Sequence, residues 1–220
     1  MKGRIIAIGD VHGCAAALRA ILDRVAPRPQ DTIVTLGDYV DRGPDSRGVL
    51  DLLIELGGRC QLVPILGNHD EVMRDALRGA EPLDHFLRMG GDATLDSYGP
   101  GRTLDLVPPA HRDFLEGCRD HHETARHLFL HASYDPEWSL ADQPDGTIRW
   151  SKVSKSRHPG RHRSGKTAIV GHSSQKGGEI LDLGHIKCID TFCWGGGWLT
   201  ALNVRTEEAW QVDREGRPRR

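Results

Sequence analysis

Three short apolar runs in the first third of the chain each end in a glycine followed by an aspartate or asparagine, and this repetition limits the fold more than any other feature. Ile5-Ile6-Ala7-Ile8 runs into Gly9-Asp10-Val11-His12-Gly13. Thr32-Ile33-Val34-Thr35-Leu36 runs into Gly37-Asp38-Tyr39-Val40-Asp41-Arg42-Gly43, and Leu62-Val63-Pro64-Ile65-Leu66 runs into Gly67-Asn68-His69-Asp70. The runs read as buried strands, and they recur at intervals of about 30 residues, the length of a strand–helix–strand unit. Between the first two, Ala15, Leu18, Ile21, Leu22 and Val25 fall at helical spacing and stop before Pro27 and Pro29. After the second, Pro44 opens a helix that buries Val49, Leu50, Leu52, Leu53 and Leu56 and ends at Gly57-Gly58. The pattern is βαβαβ, which implies a parallel sheet with right-handed crossovers. Ligands of an open α/β sheet gather at the carboxyl ends of its strands, so Asp38 is expected at the centre of a polar cluster.

Beyond residue 70 the pattern turns helical and more polar, an excursion over about residues 71–120 interrupted by Gly90–Gly101. A strand at Leu128-Phe129-Leu130 delivers His131, and Ala168-Ile169-Val170 delivers Gly171-His172. The runs Glu179–Leu183, Ile186–Thr191, Trp198–Val204 and Ala209–Val212 alternate and read as an antiparallel meander. Residues 1–213 are expected to form one domain, and the charged residues 214–220 a solvated tail.

The 29 basic and 31 acidic residues give a net charge of −2, which supplies no bulk attraction for nucleic acid or an acidic membrane surface. Any anionic substrate must be held by local charges. Five cysteines, odd in number and without a CxxC pair, point to reduced thiols and a cytoplasmic setting. No signal peptide and no membrane span is read from the sequence.

The strand-end polar residues are Asp10, His12, Asp38, Asn68, His131 and His172. Three oxygens and three imidazoles exceed the needs of one tetrahedral zinc and suit two divalent ions about 3.5–4 Å apart that share a ligand. A carboxylate can bridge, and Asp38 is the central one. The expected division is Asp10, His12 and Asp38 on one ion, with Asp38, Asn68, His131 and His172 on the other. Such a pair acidifies a shared water, and the resulting hydroxide attacks a phosphorus in line. His69 is the expected general acid for the leaving oxygen, Asp41 its carboxylate partner, and Arg42 a bidentate contact for phosphate oxygens.

Taken together, GDVHG, GDYVDRG, GNHD and the later LHA and GH motifs resemble the phosphoprotein-phosphatase family of calcineurin-like metallophosphoesterases over nearly the whole chain. The resemblance implies an α/β (α+β) fold, a four-layer αββα sandwich of mixed sheets with a dimetal centre at strand ends. It implies two divalent ions, manganese first, with iron, zinc, cobalt or nickel as alternatives. The six ligands, the His69–Asp41 acid pair and Arg42 coincide with the family's functional positions.

Size and the GGDATLDSYG stretch are similar to the small bacterial and phage Ser/Thr protein phosphatases, which implies phosphomonoester hydrolysis on a phosphorylated protein or peptide. The run Asp190–Gly196 with Leu199-Thr200-Ala201-Leu202 is also similar to bacterial symmetrical diadenosine tetraphosphate hydrolases, the alternative reading. A binding module that senses phosphate without turnover would be marked by lost ligands or a lost acid, and all are present. Where relatives carry Trp-x-Arg for a second phosphate contact, this chain has Trp150-Ser151-Lys152 with Arg149 before it. Lysine keeps the charge and loses the fork. The substrate contacts expected are therefore Arg42, Asn68, Lys152 and Arg149, with no stable nucleic-acid or membrane partner. The basic stretch Lys155–Lys166 reads as a solvated loop.

Overall fold

A computed structural model describes residues 3–220. Its first sheet has the order β10-β9-β1-β2-β3, formed by β1 (Ile5–Ile8), β2 (Thr32–Thr35), β3 (Gln61–Pro64), β9 (Leu199–Asn203) and β10 (Ala209–Val212). The β1–β2 and β2–β3 pairs are parallel, as the βαβαβ pattern requires, with Ile5 opposite Thr32 and Thr32 opposite Gln61. The crossovers are α1 (Ala15–Val25) and α2 (Ser46–Gly57). Pro44 lies just outside α2, whose cap is Asp45, accepting the Gly48 N–H at 2.8 Å. A carboxylate there satisfies a first-turn donor that proline cannot.

The second sheet has the order β4-β5-β6-β8-β7, from β4 (His121–Glu123), β5 (His127–Leu130), β6 (Thr167–Val170), β7 (Leu181–Asp182) and β8 (Ile186–Cys188). Ala7, Val34, Leu36, Val63 and Ile65 from the first sheet form one apolar cluster with Phe129, Ile169 and Ile189 from the second. That cluster is the interior of a sandwich. The other face of the first sheet packs Ile6, Ile8 and Ile33 against Leu18, Ile21, Leu50 and Leu53 of α1 and α2. Behind the second sheet, Leu128, Leu130 and Val170 pack with Ile148 of α7 (Asp145–Trp150). The result is the mixed-sheet α/β sandwich expected.

Two expectations are corrected. The last four strands do not form one meander: β7 pairs antiparallel with β8, which pairs parallel with β6, while the β9–β10 hairpin joins the first sheet with β9 antiparallel to β1. All five residues of β9 are buried, as befits a strand covered on both faces, and alternation alone does not say which neighbour covers it. The interruption in the helical excursion is itself largely helical. The excursion runs through α3 (Asn68–Leu77), α4 (Leu83–Phe86), a π turn (Leu87–Gly91), α5 (Asp92–Tyr98) and α6 (Pro109–Glu116), with non-helical backbone at Gly90 and again from Gly99, where α5 ends. The C-terminal segment folds back, with Arg219 over the Trp198 ring at 5.4 Å and bonded to Gln211 and the Gly178 carbonyl at 2.8 Å each. No helix among the described residues is long and apolar enough to cross a membrane.

Candidate dimetal active site

The turns that follow β1, β2, β3, β5 and β6 meet at one end of the sandwich. There Asp10, His12, Asp38, Asn68, His69 and His131 are each at most 3% exposed. Among the described residues, nine non-glycine residues have positive φ, and five of them are His12, Asp38, Asp41, Arg42 and His172. Left-handed backbone costs of order 1 kcal/mol or more at such residues and persists where the surroundings over-determine it. One such constraint is Gly67, where a Cβ would sit 2.2 Å from the Asp38 nitrogen and 2.3 Å from Asp38 Oδ1.

Among the described residues two groups of donor atoms occur, the atoms of each within 4.8 Å of one another: His12, Asp38 and His69, and Asp38, His131 and His172. Asp38 belongs to both. Its Oδ2 is 3.3 Å from His12 Nε2 and its Oδ1 is 3.4 Å from His131 Nε2. His131 and His12 donate through Nδ1–H to the carbonyls of Leu36 (2.7 Å) and Val40 (2.9 Å), which turns each Nε2 inward. His172 donates through Nε2–H to the Trp150 carbonyl at 3.1 Å, leaving Nδ1 facing inward. The side-chain oxygen of Asn68 stands 3.0 Å from His131 Nε2 and 2.9 Å from His172 Nδ1. That inward oxygen is placed to serve a shared cation.

The charges agree. Burial alone would lower His12 and His131, but hydrogen bonding and the charge of Asp38 outweigh it and push them up to about 9 and about 10. His172, lowered by burial and by the nearby His131, falls to about 4. Burial would raise Asp38, yet the charges of His131 and His69 hold it well below the usual carboxylate range. In this set a buried carboxylate attracts positive charge to two imidazoles, a demand that divalent ions meet. Asp10 stands beside the two groups rather than within them. Both its oxygens accept the His172 backbone N–H, at 3.1 and 2.9 Å, and burial with the neighbouring Asp190 raises its pKa well above the ordinary value.

His69 Nδ1 is 2.7 Å from Asp41 Oδ2. The other oxygen of Asp41 accepts the Thr94 hydroxyl at 2.8 Å, and that hydroxyl accepts the Asp41 N–H at 2.8 Å. Arg42 spans the two imidazoles, with Nη1 3.1 Å from His12 Nε2 and Nη2 2.8 Å from His69 Nε2. Its guanidinium lies 4.8 Å from the Trp194 ring. Of these groups His69, Arg42 and Trp194 line a cleft of about 760 Å³, together with Asp38, Lys152, Trp150, Lys176 and Phe192.

Arg149 does not reach this cleft, and its reading as a substrate contact is corrected. It is 3% exposed and ion-paired with Glu71 (2.8 Å), Asp120 (2.7 Å) and Asp145 (2.8 Å). A buried guanidinium so paired is committed to structure. Three supporting residues were not legible as such. Asp70 accepts the N–H groups of Asp38 (2.7 Å), Tyr39 (2.9 Å) and Gly67 (3.0 Å), and burial with the Asp38 charge raises it to about 7. Its place after Asn68-His69 was the available signal. Thr94 lies 53 residues from Asp41, and Trp194 even farther from Arg42; no local pattern joins either pair.

The sequence profile described as calcineurin-like phosphoesterase matches residues 3–173. The chain belongs to this family. It is thus a metal-dependent phosphoester hydrolase by kinship as well as by its donor set. Among calcineurin-like relatives, the serine/threonine-protein phosphatase 1 of Salmonella typhimurium is 29% identical over 214 residues, covering 90% of each chain. A symmetrical bis(5′-nucleosyl)-tetraphosphatase of Bordetella pertussis is 34% identical over 275 residues, covering 96% of each. The crystal structure of a candidate diadenosine tetraphosphatase superposes with a TM-score of 0.73 at 23% identity, over 96% of this chain and 94% of that one, a likeness of fold.

Proposed function

We propose that this calcineurin-like enzyme is a manganese-dependent phosphomonoesterase of the protein serine/threonine phosphatase type. The observation that carries the reading is the His69–Asp41 pair, 2.7 Å apart and buried, with His69 in the donor group that shares Asp38 with the other. Two ions held by His12, Asp38, Asn68, His131 and His172, with Asp10 alongside, would bind phosphoryl oxygens and acidify the attacking water. Asp41 fixes the Nδ1–H tautomer of His69 and the orientation of its ring. Nε2 then faces the cleft as the proton donor. Arg42, pre-stacked on Trp194, exchanges its histidine contacts for phosphate oxygens, and Lys152 adds a monodentate charge from the rim.

A positioned acid matters most for a strongly basic leaving group such as a serine alkoxide, and far less for a nucleoside diphosphate. Alignment length, though not identity, supports the same reading. The Salmonella phosphatase aligns over 214 positions, whereas the Bordetella relative needs 275 for a chain of 220 residues and so carries added segments. The higher identity of that relative supports a second reading, hydrolysis of diadenosine tetraphosphate. Turnover of a phosphoserine peptide and of diadenosine tetraphosphate by the same manganese-loaded preparation separates the two. A larger kcat/KM on the peptide is expected, and the reverse order would establish the second reading. The five free cysteines favour a reducing, cytoplasmic setting.

A further inference from the structure

The cleft continues past the candidate ligands. Ser174, Gln175 and Lys176 line it and also line a second hollow of about 340 Å³ that reaches Lys155. Five lysines lie among the described residues. Lys166 pairs with Glu123, and Lys187 with Asp182 and Glu207. Lys152, Lys155 and Lys176, the three along this path, have no carboxylate within 4.0 Å among the described residues. The one acid lining the second hollow, Glu179, is taken by Arg219. In a chain of net charge −2, uncompensated lysines gathered in a concavity focus a local positive field.

The walls of this path are braced. Asp190, 2% exposed, accepts the Ser174 hydroxyl at 2.7 Å and the Phe192 N–H at 3.0 Å, while its carbonyl accepts the Gln175 N–H at 2.8 Å. Phe192 is held at φ 67°, which bulky residues rarely adopt. Its ring covers Gly195, where a Cβ would meet it at 2.0 Å, and Lys176 Nζ lies 5.7 Å from the ring centroid. One buried carboxylate thus sets the segment carrying Lys176 against the aromatic wall beside the catalytic groups.

We propose that Lys176 and Lys155 form a second anion subsite, which receives a phosphoryl group that the substrate carries beyond the one being hydrolysed. The inference rests on the phosphoester hydrolase reading and concerns specificity rather than chemistry. The phosphoryl group can come from a neighbouring phosphoserine or from a phosphate chain, and the test distinguishes these sources. Peptides with one or two phosphoserines are compared on wild type and on the Lys155→Ala/Lys176→Ala variant. Wild type is expected to prefer the doubly phosphorylated peptide by about tenfold in kcat/KM, carried by KM, the scale of one charge-assisted contact. The ratio should fall to near one in the variant, and Lys176→Arg should keep it. Inorganic tripolyphosphate, as a competitive inhibitor of nitrophenyl phosphate turnover, probes the phosphate-chain source. Tighter inhibition than by inorganic phosphate, lost in the variant, would support the subsite with that occupant. No preference for two phosphoserines over one, and none for tripolyphosphate over phosphate, would overturn it. Failure of wild type on every peptide would remove the phosphatase reading while the tripolyphosphate comparison still judges the subsite.

Discussion

Asp38 presents one oxygen to His12 and the other to His131, at 3.3 and 3.4 Å, from a backbone held at φ 52°. Because it belongs to both ligand groups, Asp38→Asn is expected to lose tight binding of both ions and nearly all activity. Elemental analysis finding two ions still bound would sink the bridging assignment. For His69 the leaving group supplies the test. A general acid contributes about 10²–10⁴ in rate where the departing oxygen is strongly basic, and nitrophenolate needs little help. His69→Asn should therefore lower kcat far more on phosphoserine peptide than on nitrophenyl phosphate, with Asp41→Asn showing a smaller bias. Metal content is expected to stay near wild type in both. Since His69 lies within one donor group, loss of an ion in His69→Asn would reassign it as a ligand.

At the scale of elements, the parallel half of the first sheet depends on a clamp at its starting edge. Asp31 precedes β2 and accepts the Arg4 backbone N–H at 2.8 Å, Arg4 Nη2 at 2.6 Å and the Arg28 N–H at 3.0 Å. Burial would raise its pKa, but the Arg4 side-chain and backbone bonds and that of Arg28 outweigh burial and lower it. A depressed carboxylate contributes stability above its unfolded pKa and loses it as pH falls through the folded one. Asp31→Asn is expected to cost about 1–2 kcal/mol at neutral pH, a Tm drop of roughly 2–8 °C. The gap should close below the ordinary aspartate range. Melting curves of both proteins from pH 7 to pH 2 check this, and a gap that persists at the acid end would refute the clamp. The strands joined by this clamp, with α1 and α2, were legible because period, breakers and length all agree over Ile5–Leu66. The excursion was less so: Thr94 reaches Asp41, and the Gly90 carbonyl accepts the Arg42 N–H at 3.1 Å, yet locally the stretch reads only as a glycine-interrupted helix.

Across the whole molecule, the candidate ligands come from both sheets: Asp38 and Asn68 follow strands of the first, His131 and His172 strands of the second. Ions bound there would tie together two layers that otherwise meet through apolar packing. A ligand at 100 times its Kd stabilises by about 2.7 kcal/mol, so chelation of the manganese-loaded enzyme is expected to lower Tm by roughly 5–10 °C. Restoring manganese should reverse the change, and a Tm indifferent to manganese would refute the link between layers. The sequence alone determined that three strands end in turns carrying clustered candidate metal ligands, since apolar period and the residues of a strand-end turn are local properties. It also placed Asp38, His12, His69 and Asp41 as neighbours in one cluster, because they lie in those turns. Only the tertiary structure decided that Arg149 belongs to three carboxylates and not to substrate, and that β9 crosses to the first sheet. It alone brought Asp190 to brace Ser174 and Phe192 beside uncompensated lysines. Those outcomes depend on which distant charges and covered faces meet, and pairing across the chain leaves no period in the sequence from which to read it.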